Sequence, residues 1–525
     1  MTTLPSGLPV VVDRAVAVPL ATQIAAQLEA AVAAGALHAG DRLPSSRDLA
    51  ATLGVSRTVV TSAYARLLTQ GWLEGRPGSG TFVANVTPPA ARPAAQPASP
   101  PPSPGYPERG RVPAGRPVPA APQQGADLVD LRPGSSWAEG IDPAAWRRAW
   151  RQAGAYLPSQ EPDPYGLPGL RAEIAAYLRR SRGLAVTPAQ VLVTQGVSDG
   201  FALLVGALLA PGDAAGTEEP GYPAARAVLH RAGARVVPCR VDAHGIVPGE
   251  LPGDLALLYT SPAHQYPLGG RLPVSRRQAL VAWARSTGAL IVEDDYDSEF
   301  RYDVGPLPAL HSMAPDVIVY LGTASKVLAA GFGAGWLVAA PELVGRLAAL
   351  RRSTGGRIPE PVQHAVLALL QSGDLERHIR RMRLEYARRR AALVDGLAAP
   401  GPFRLLGDTA GMHVVIELPA GASPGLLIEA AARRGVRIYP LDRYYAGPPA
   451  LNGVIIGYGT ATLPQVRRAA AELSRLLRQW PEPSQLDARS HDDRALAGQP
   501  EVLGRVGGEA GGGDEQPLAP RAHVG

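Results

Sequence analysis

The order of apolar and polar residues near the start of the chain predicts three helices and a hairpin. The first helix has an apolar face with a spacing of four residues, formed by Leu20, Ile24, Leu28 and Val32. Ser45 is placed to cap a second helix that ends at Gly54, and Ser56 is placed to cap a third. Residues 73–83 carry a Pro-Gly-Ser-Gly turn between two short runs, which predicts the hairpin.

The third of these helices is placed to meet DNA. Three helices followed by a hairpin are typical of a winged helix-turn-helix, whose third helix enters the major groove. That helix begins Ser56-Arg57-Thr58, so an arginine can reach guanine and two hydroxyls can contact phosphates. Arg47 starts the preceding helix, and Gly78 lies in the wing. The alternative is a small helical domain with surface arginines, and the residues favour DNA binding over it.

A second pattern begins at residue 191, where short apolar runs alternate with helical patterns. The predicted buried strands are Val191–Thr194, Ala256–Thr260, Leu290–Glu293 and Val317–Leu321. The predicted helices between them are Phe201–Leu209, Ala224–Ala232 and Val274–Ser286. This alternation predicts an α/β domain with a largely parallel sheet, and such sheets bind ligands at the carboxyl ends of their strands.

Length and composition divide the chain into four parts. Its 525 residues suggest about two to four domains. We predict a winged-helix domain at 15–84, a linker rich in proline and alanine at 85–126, and a large domain at 127–479. Residues 480–525 form a polar tail that is predicted to be disordered.

Net charge indicates which kind of partner to expect, and cysteine content indicates the cellular compartment. The formal net charge of +6 is compatible with an acidic partner such as DNA. The single cysteine, Cys239, excludes an intramolecular disulfide framework, which fits a reducing cytoplasm. No apolar run is long enough to cross a bilayer, and the N-terminus lacks a signal-peptide pattern. A cytoplasmic protein without a membrane partner is therefore expected.

Lysine is almost absent from the sequence. Of 52 basic residues, only Lys326 is a lysine, and the other 51 are arginine. Arginine replaces lysine as a charge but not as a neutral amine nucleophile. A base-composition bias that left one lysine by chance is the alternative explanation.

Three predicted strand ends carry complementary chemistry. Val197 and Ser198 open a helix after a glycine and could bind phosphate through backbone N–H groups. Asp294 follows another strand in a carboxylate cluster, which could also be a magnesium site or a solvated loop. Lys326 follows a third strand and could form a Schiff base. A phosphate cradle, a carboxylate and a lysine together predict pyridoxal 5′-phosphate (PLP) as cofactor, with no metal.

Several motifs resemble a known family. The run from Gly40 to Tyr64, continuing to Val83, resembles the GntR-type winged helix. The stretches Thr260–Pro267, Glu293–Tyr302 and Tyr320–Lys326 are similar to those of the MocR/GabR family. Members fuse a GntR-type winged helix to a fold-type-I aminotransferase-like domain with a smaller C-terminal α+β subdomain.

The resemblance implies roles for the residues around the cofactor ring. Lys326 would form the Schiff base, and Asp294 would pair with the pyridinium nitrogen. Tyr296 would hydrogen-bond the phenolic oxygen, and Tyr222 would stack on the ring.

The resemblance also implies the phosphate and DNA contacts. The phosphate would be held by the backbone N–H groups of Val197 and Ser198 and by the hydroxyl of Thr323. The implied DNA-contacting residues are Arg47, Ser56, Arg57, Thr58 and Gly78.

Two positions depart from the family pattern. Relatives carry a phosphate-binding arginine seven residues after the lysine, where this chain has Gly333. Aminotransferases that bind an amino-acid carboxylate carry an arginine near the C-terminal strand, where this chain has Ile455. Arg437 or Arg443 could substitute for it. We therefore expect weaker PLP binding and an effector that is PLP itself or an amine without a nearby carboxylate.

The expected function is PLP-dependent regulation of transcription by a head-to-tail homodimer that binds a double-stranded operator. One alternative is an active aminotransferase with an appended DNA-binding domain. Another is a regulator whose large domain only dimerises. The arginine-rich stretch Arg377–Arg390 could be a second DNA-binding surface, and a solvated helix face is the preferred interpretation.

Overall fold

The computed structural model describes residues 10–14, 16, 18–76, 80–84, 128–302, 308–398, 403–407 and 410–479. The predicted linker at 85–126 and the predicted disordered tail at 480–525 lie outside these ranges. Both therefore stay predictions.

The N-terminal part has the predicted order of three helices and a hairpin. Helix α1 spans Leu20–Ala33, α2 spans Ser46–Leu53 and α3 spans Arg57–Gln70. Strands β1 (Leu73–Arg76) and β2 (Gly80–Val83) pair antiparallel and form the wing. The fold of this part is a winged helix.

Helix capping follows the prediction at α2 and departs from it at α3. The Ser45 hydroxyl oxygen accepts the Asp48 N–H at 3.2 Å and donates to the Asp48 carboxylate at 2.7 Å. Ser56 has the extended backbone of a cap residue, but its side chain accepts no N–H of α3. Ser56 is therefore the N-cap residue, as predicted, but without the side-chain hydrogen bond of a cap, and its hydroxyl stays available to another partner.

The remaining strands build the large domain and its C-terminal subdomain. In chain order, β3 to β16 span Val129–Asp130, Val191–Thr194, Ala214–Glu219, Arg235–Asp242, Gly245–Ile246, Leu257–Thr260, Leu290–Asp295, Ile318–Thr323, Gly335–Val338, Arg404–Leu406, His413–Glu417, Val436–Arg437, Tyr439–Pro440 and Gly453–Gly457.

The helices lie between and after these strands. In chain order, α4 to α13 span Pro143–Ala153, Pro168–Arg182, Val197–Leu208, Pro223–Arg231, Val274–Thr287, Pro341–Thr354, Glu360–Gln371, Asp374–Leu397, Pro424–Arg433 and Leu463–Arg478.

The large sheet has eight strands in the order β4-β11-β10-β9-β8-β5-β6-β7. Its central pairs, from β10 through β9, β8 and β5 to β6, are parallel. Strand β11 runs antiparallel to both β10 and β4, so β4 points the same way as the central strands. The largely parallel sheet with helices packed against it agrees with the predicted α/β class.

The C-terminal subdomain is a four-stranded antiparallel sheet in the order β12-β13-β16-β15. One face packs on α11, α12 and α13 through a buried apolar cluster that includes Val414, Ile416, Val454 and Ile456. The other face turns Val415 and Ile455 toward the large domain. This second face therefore joins the subdomain to the core of the large domain.

The winged helix contacts the large domain at the start of α8. Val274 is buried in the same apolar cluster as the core of the winged helix. Gly71, which ends α3, lies so close that a Cβ there would be 3.3 Å from the Val274 nitrogen. This contact is within one chain, and the expected contact with a partner's large domain stays a prediction.

Candidate functional site

Four strand ends converge at one edge of the large sheet. Thr194 at the end of β4 and Thr323 at the end of β10 both pair with Gly335 of β11. Thr260 at the end of β8 pairs with Glu293 of β9. The residues that follow these strands are the ones predicted to hold the cofactor, and the fold brings them together.

Lys326 lies just past β10 with its amine directed at the chain before α4. Its Nζ donates to the carbonyl oxygen of Gly134. Burial lowers the pKa of Lys326, while the nearby carboxylates of Asp294 and Asp297 act in the opposite direction. A lowered pKa makes the neutral amine more available, as a lysine nucleophile requires.

Asp294 is buried and has one oxygen without a partner. Its Oδ2 accepts the Tyr259 hydroxyl at 2.5 Å. Its Oδ1 receives no hydrogen bond from any of the described residues. Burial raises the pKa of Asp294 to about 7. An unpaired buried oxygen is costly, and a protonated ring nitrogen is a fitting donor for it.

Tyr222 lies beside this carboxylate at the start of α7. Its hydroxyl is 3.4 Å from the Ser198 hydroxyl at the start of α6. Its ring is nearly parallel to that of Tyr259, with an angle of 22° and ring centroids 6.5 Å apart. Tyr222 therefore lies between Asp294 and the first turn of α6, where the phosphate is predicted to bind.

The predicted phosphate cradle is the first turn of α6. Val197 and Ser198 are its first two residues, and the first N–H groups of a helix have no acceptor inside the helix. The hydroxyls of Thr323 and Ser325 lie opposite, each 3.8 Å from where a Cβ on Gly196 would be. Thr323 Oγ1 also accepts the Ser325 N–H at 3.0 Å, so its orientation is fixed.

Gly333 lies against the same cradle. A Cβ at this position would have one close neighbour among the described residues, the Gln195 carbonyl oxygen at 4.0 Å. The position therefore faces the loop before α6, as expected for the residue that relatives use to bind phosphate. The backbone there is left-handed, with φ of +59°.

Tyr296 points into a buried cluster next to Asp294. Its hydroxyl oxygen is 2.9 Å from His264 Nδ1. Its ring meets that of Tyr266 edge-on, with centroids 5.5 Å apart.

The neighbouring carboxylates are buried and have separate protein partners, so the interpretation of this cluster as a solvated loop is wrong. Glu293 accepts the N–H groups of Leu310 and His311, and Asp295 pairs with Arg182 at 2.5 Å. Across the described residues, no three metal-ligating side chains come together. Of the two interpretations of this cluster, the magnesium site has no support, and the carboxylates are buried and paired.

Ile455, predicted to stand where aminotransferases carry a carboxylate-binding arginine, lies on β16. It is fully buried and packs in one apolar cluster with Val415 and Tyr444. The Tyr444 hydroxyl accepts a hydrogen bond of 3.0 Å from Tyr266, whose hydroxyl lies next to Gly134 beside Lys326. Tyr266 therefore connects the surroundings of Lys326 to the apolar cluster that contains Ile455.

Of the two arginines that could substitute, Arg437 is engaged away from this cluster and Arg443 lies at its edge. Arg437 pairs with Asp130 at 3.4 Å. Arg443 is exposed and lies over the Tyr444 ring, with its guanidinium carbon 5.7 Å from the centroid. Arg443 is the nearer of the two to the apolar cluster.

The predicted DNA-contacting residues share one exposed surface of the winged helix. Arg47, Ser56, Arg57 and Thr58 are all exposed, while the opposite face of α3 is buried. Arg57 Nε donates to the Ser46 hydroxyl at 3.3 Å, which links the first turns of α2 and α3. Gly78, predicted to contact DNA from the wing, lies outside the described residues.

The arginine-rich stretch on α11 is only partly a solvated face. Arg380 and Arg388 are exposed, as predicted. Arg389 is fully buried, donates to Glu385 and the Gly459 carbonyl, and lies 4.3 Å over the Trp137 ring. The prediction of a solvated face is therefore wrong for Arg389, which holds the C-terminal subdomain on α11.

Sequence reasoning misses the residues that support the predicted ones. Tyr259 is predictable only as part of a strand, and it binds Asp294. His264 and Asp297 lie in the motifs that carry the resemblance, but the motifs give neither a role. The Ser136 hydroxyl donates to the Ser325 and Leu328 carbonyl oxygens and so holds the loop that carries Lys326. No sequence pattern indicates this role of Ser136.

Among the described residues, no helix is long and apolar enough to span a membrane.

Comparison with known proteins places both parts of the chain. Residues 20–83 match the gntR family of bacterial regulatory proteins, and residues 140–448 match the aminotransferase class I and II family.

Two curated relatives cover most of the chain. The pyridoxine biosynthesis transcriptional regulator PdxR of Corynebacterium glutamicum is 38% identical over 89% of this chain and 98% of its own length. The probable rhizopine catabolism regulatory protein MocR of Rhizobium meliloti is 33% identical over 85% of this chain and 92% of its own.

A solved structure resembles the large domain. It is the α-aminoadipate aminotransferase of Thermus thermophilus with N-(5′-phosphopyridoxyl)-L-leucine, with a TM-score of 0.61 and 25% identity. The match covers 69% of this chain and 94% of the aminotransferase.

Proposed function

The chain belongs to the MocR-type transcriptional regulators, which join a GntR winged helix to an aminotransferase-like domain, and we propose that its effector is PLP itself. It is a DNA-binding regulator whose cofactor is PLP. The observation that carries the choice of effector is the burial of Ile455 in an apolar cluster that includes Tyr444 and is contacted by Tyr266, the tyrosine next to Lys326. The pyridoxine biosynthesis regulator among the relatives supports the same choice.

We assign the ring contacts of the cofactor to three side chains. Asp294 holds the ring nitrogen protonated through Oδ1, the oxygen that has no partner among the described residues. Lys326 would supply the amine that bonds to the aldehyde, and Tyr222 would lie against the ring. Bound PLP supplies an electron-withdrawing ring and a carbonyl carbon that reacts with amines. The chain's own part is to orient that ring, keep its nitrogen protonated and hold its phosphate.

The phosphate is held by neutral donors in this assignment. Val197 and Ser198 offer N–H groups at the positive end of α6, and Thr323 offers a hydroxyl. Gly333, which faces the Gln195 loop, offers no side chain to the phosphate. Weaker cofactor binding than in relatives suits a sensor, because occupancy then follows the free PLP concentration.

Gly333→Arg is expected to tighten PLP binding by up to roughly 30-fold. A hydrogen bond to a charged group is worth about 1.5–3 kcal/mol. Residue 333 has a left-handed backbone, which costs a residue with a side chain on the order of 1–2 kcal/mol. This strain offsets part of the gain from the hydrogen bond. The measurement is a PLP titration followed by visible absorbance.

Gly331→Arg is the matched control, because it adds the same charge at a position with open space around it. It should leave PLP affinity unchanged. If Gly333→Arg also changes nothing, the phosphate already has a cationic partner.

An amino acid is a poor effector for this site. At the position of Ile455 its carboxylate would meet an apolar side chain, and Arg443 would have to leave the Tyr444 ring to pair with it. Burying an unpaired carboxylate costs several kcal/mol. PLP alone, or an amine that lacks a carboxylate, avoids this cost.

We therefore expect operator affinity to be unaffected by GABA and by α-amino acids. The PLP-loaded protein is titrated with these compounds and with simple amines while absorbance and DNA binding are followed. Ile455→Arg should create a response to carboxylates, whereas Ile455→Leu, which keeps the volume, should not. A saturable response of the wild type to GABA or an α-amino acid would refute the proposal and point to Arg443 or Arg437.

We also propose the head-to-tail homodimer as the working form. Leu157 is 91% exposed, and Tyr156 beside it is half-exposed and stacks on His364. A large apolar side chain so exposed fits burial in a contact between protein chains. Size-exclusion chromatography with light scattering gives the molar mass of the full-length protein in solution. That mass distinguishes a monomer from a homodimer.

A further inference from the structure

A buried histidine and aspartate lie behind Tyr296. We propose that His264 and Asp297 are positioning residues, which hold the Tyr296 hydroxyl as a hydrogen-bond donor toward the phenolic oxygen of the cofactor. This inference rests on the proposed cofactor contacts. It gives a role to His264 and Asp297, for which the sequence motifs indicate none.

The geometry centres on one ring nitrogen. His264 Nδ1 is 2.9 Å from Asp297 Oδ2 and 3.1 Å from Oδ1. The same nitrogen is 2.9 Å from the Tyr296 hydroxyl oxygen. His264 and Asp297 are each only 2% exposed, so water does not compete for these contacts.

The direction of the hydrogen bonds follows from what each group can do. Carboxylate oxygens only accept, so the nitrogen facing Asp297 carries a hydrogen. That N–H is shared with the Tyr296 oxygen, which therefore acts as an acceptor. The hydrogen of the Tyr296 hydroxyl then has to point away from His264. Asp297 in this way fixes Tyr296 as a donor to whatever lies on its other side.

Tyr296 is also kept protonated by its surroundings. Burial raises the pKa of Tyr296 well above its ordinary value, and the carboxylates of Asp297, Asp294 and Glu218 raise it further. Tyr266 packs against its ring edge-on. The His413 ring lies 5.4 Å from that of His264, and burial lowers the pKa of His413 to about 4, so it stays neutral.

The packing around His264 leaves it one orientation. A Cβ on Gly411 would lie 2.2 Å from His264 Cε1 and 2.6 Å from Asp297 Oδ2. The Gly411 carbonyl is held by the Tyr302 and Tyr458 hydroxyls. The loop before β13 is thus clamped over the histidine–aspartate pair.

A role in stability alone does not explain this arrangement. His264 Nε2 is buried and has no hydrogen-bond partner among the described residues. An unsatisfied buried ring nitrogen destabilises the folded protein. An apolar residue of similar size avoids that cost, so packing alone gives no reason for a histidine here.

The test is the pH midpoint of the visible absorbance of the lysine-bound cofactor in the full-length protein. A donor to the phenolic oxygen stabilises its negative charge most when the lysine nitrogen carries no proton, so it lowers the midpoint. His264→Leu should therefore raise the midpoint by roughly one pH unit, the size expected for a lost hydrogen bond to a charged oxygen. His264→Asn, whose amide nitrogen can replace Nδ1, should restore it.

A double-mutant cycle shows whether His264 acts through Tyr296. Tyr296→Phe should raise the midpoint on its own, and adding His264→Leu should raise it little further. His311→Leu is the control, since His311 is an equally buried histidine with other partners. It should lower the melting temperature without moving the midpoint.

Failure of the cofactor assignment and failure of the positioning role give different results. A wild-type protein without a PLP-dependent visible band would overturn the cofactor assignment itself. A band whose midpoint is the same in wild type and His264→Leu would overturn only the positioning role. Additive shifts in the double mutant would also overturn it.

Discussion

Lys326→Ala is expected to abolish completely the visible absorbance that PLP gives the wild-type protein. The chain contains one lysine among 52 basic residues, so no second side-chain amine can take over the bond. The structure places this lysine beside Asp294 and Asp297, in surroundings that lower its pKa. Borohydride reduction of the wild type followed by peptide mapping should find the pyridoxyl group on Lys326.

Lys326→Arg is the matched control for this variant. It keeps a cation next to the two carboxylates but cannot form the covalent bond. Both variants should therefore lose the band, while Lys326→Arg keeps more of the thermal stability. A Lys326→Ala protein that retains the band would show that the cofactor is bound elsewhere.

Arg57→Ala is expected to weaken operator binding by roughly 5- to 150-fold and to relax the preference at one base pair. Arg57 is exposed in the first turn of α3, the part of the helix that enters the major groove. A bidentate arginine–guanine contact discriminates by about 1–3 kcal/mol, which corresponds to this range. Arg57 has to release only a 3.3 Å hydrogen bond to Ser46 to reach a base.

The measurement compares the selected operator with single-base variants at one fixed salt concentration. Arg285→Ala is the control, because Arg285 is on α8 of the large domain and pairs with Asp316. It should leave the DNA affinity unchanged. If Arg57→Ala weakens binding equally on all sequences, Arg57 contacts phosphate and not a base.

Features set by neighbouring residues can be predicted from the sequence. Ile24 and Leu28 are buried because a spacing of four places them on one helical face. The apolar run before Lys326 predicts a strand, and that strand begins at Ile318, within one residue of the prediction. Lys326 itself stands out because it is the sole lysine.

Features set by packing between distant segments cannot be predicted in this way. Asp294 depends on Tyr259, which comes from another strand. Arg389 belongs to a stretch with the pattern of a solvated face, but Trp137 from far along the chain covers it. Ser56 has the right residue type for a cap, but its side chain does not bond to the helix. Periodicity and residue type describe local preference, and these contacts depend on how elements meet.

The central claim is that PLP bound at Lys326 changes the affinity of the winged helix for DNA. The most direct test is the affinity of the full-length protein for a duplex selected from a random-sequence pool, measured at increasing PLP concentration. PLP sensing predicts a saturable change in the wild type and none in Lys326→Ala, and the duplex should change PLP affinity by the same factor. An operator affinity that stays constant in the wild type while its visible band saturates with PLP would contradict the claim.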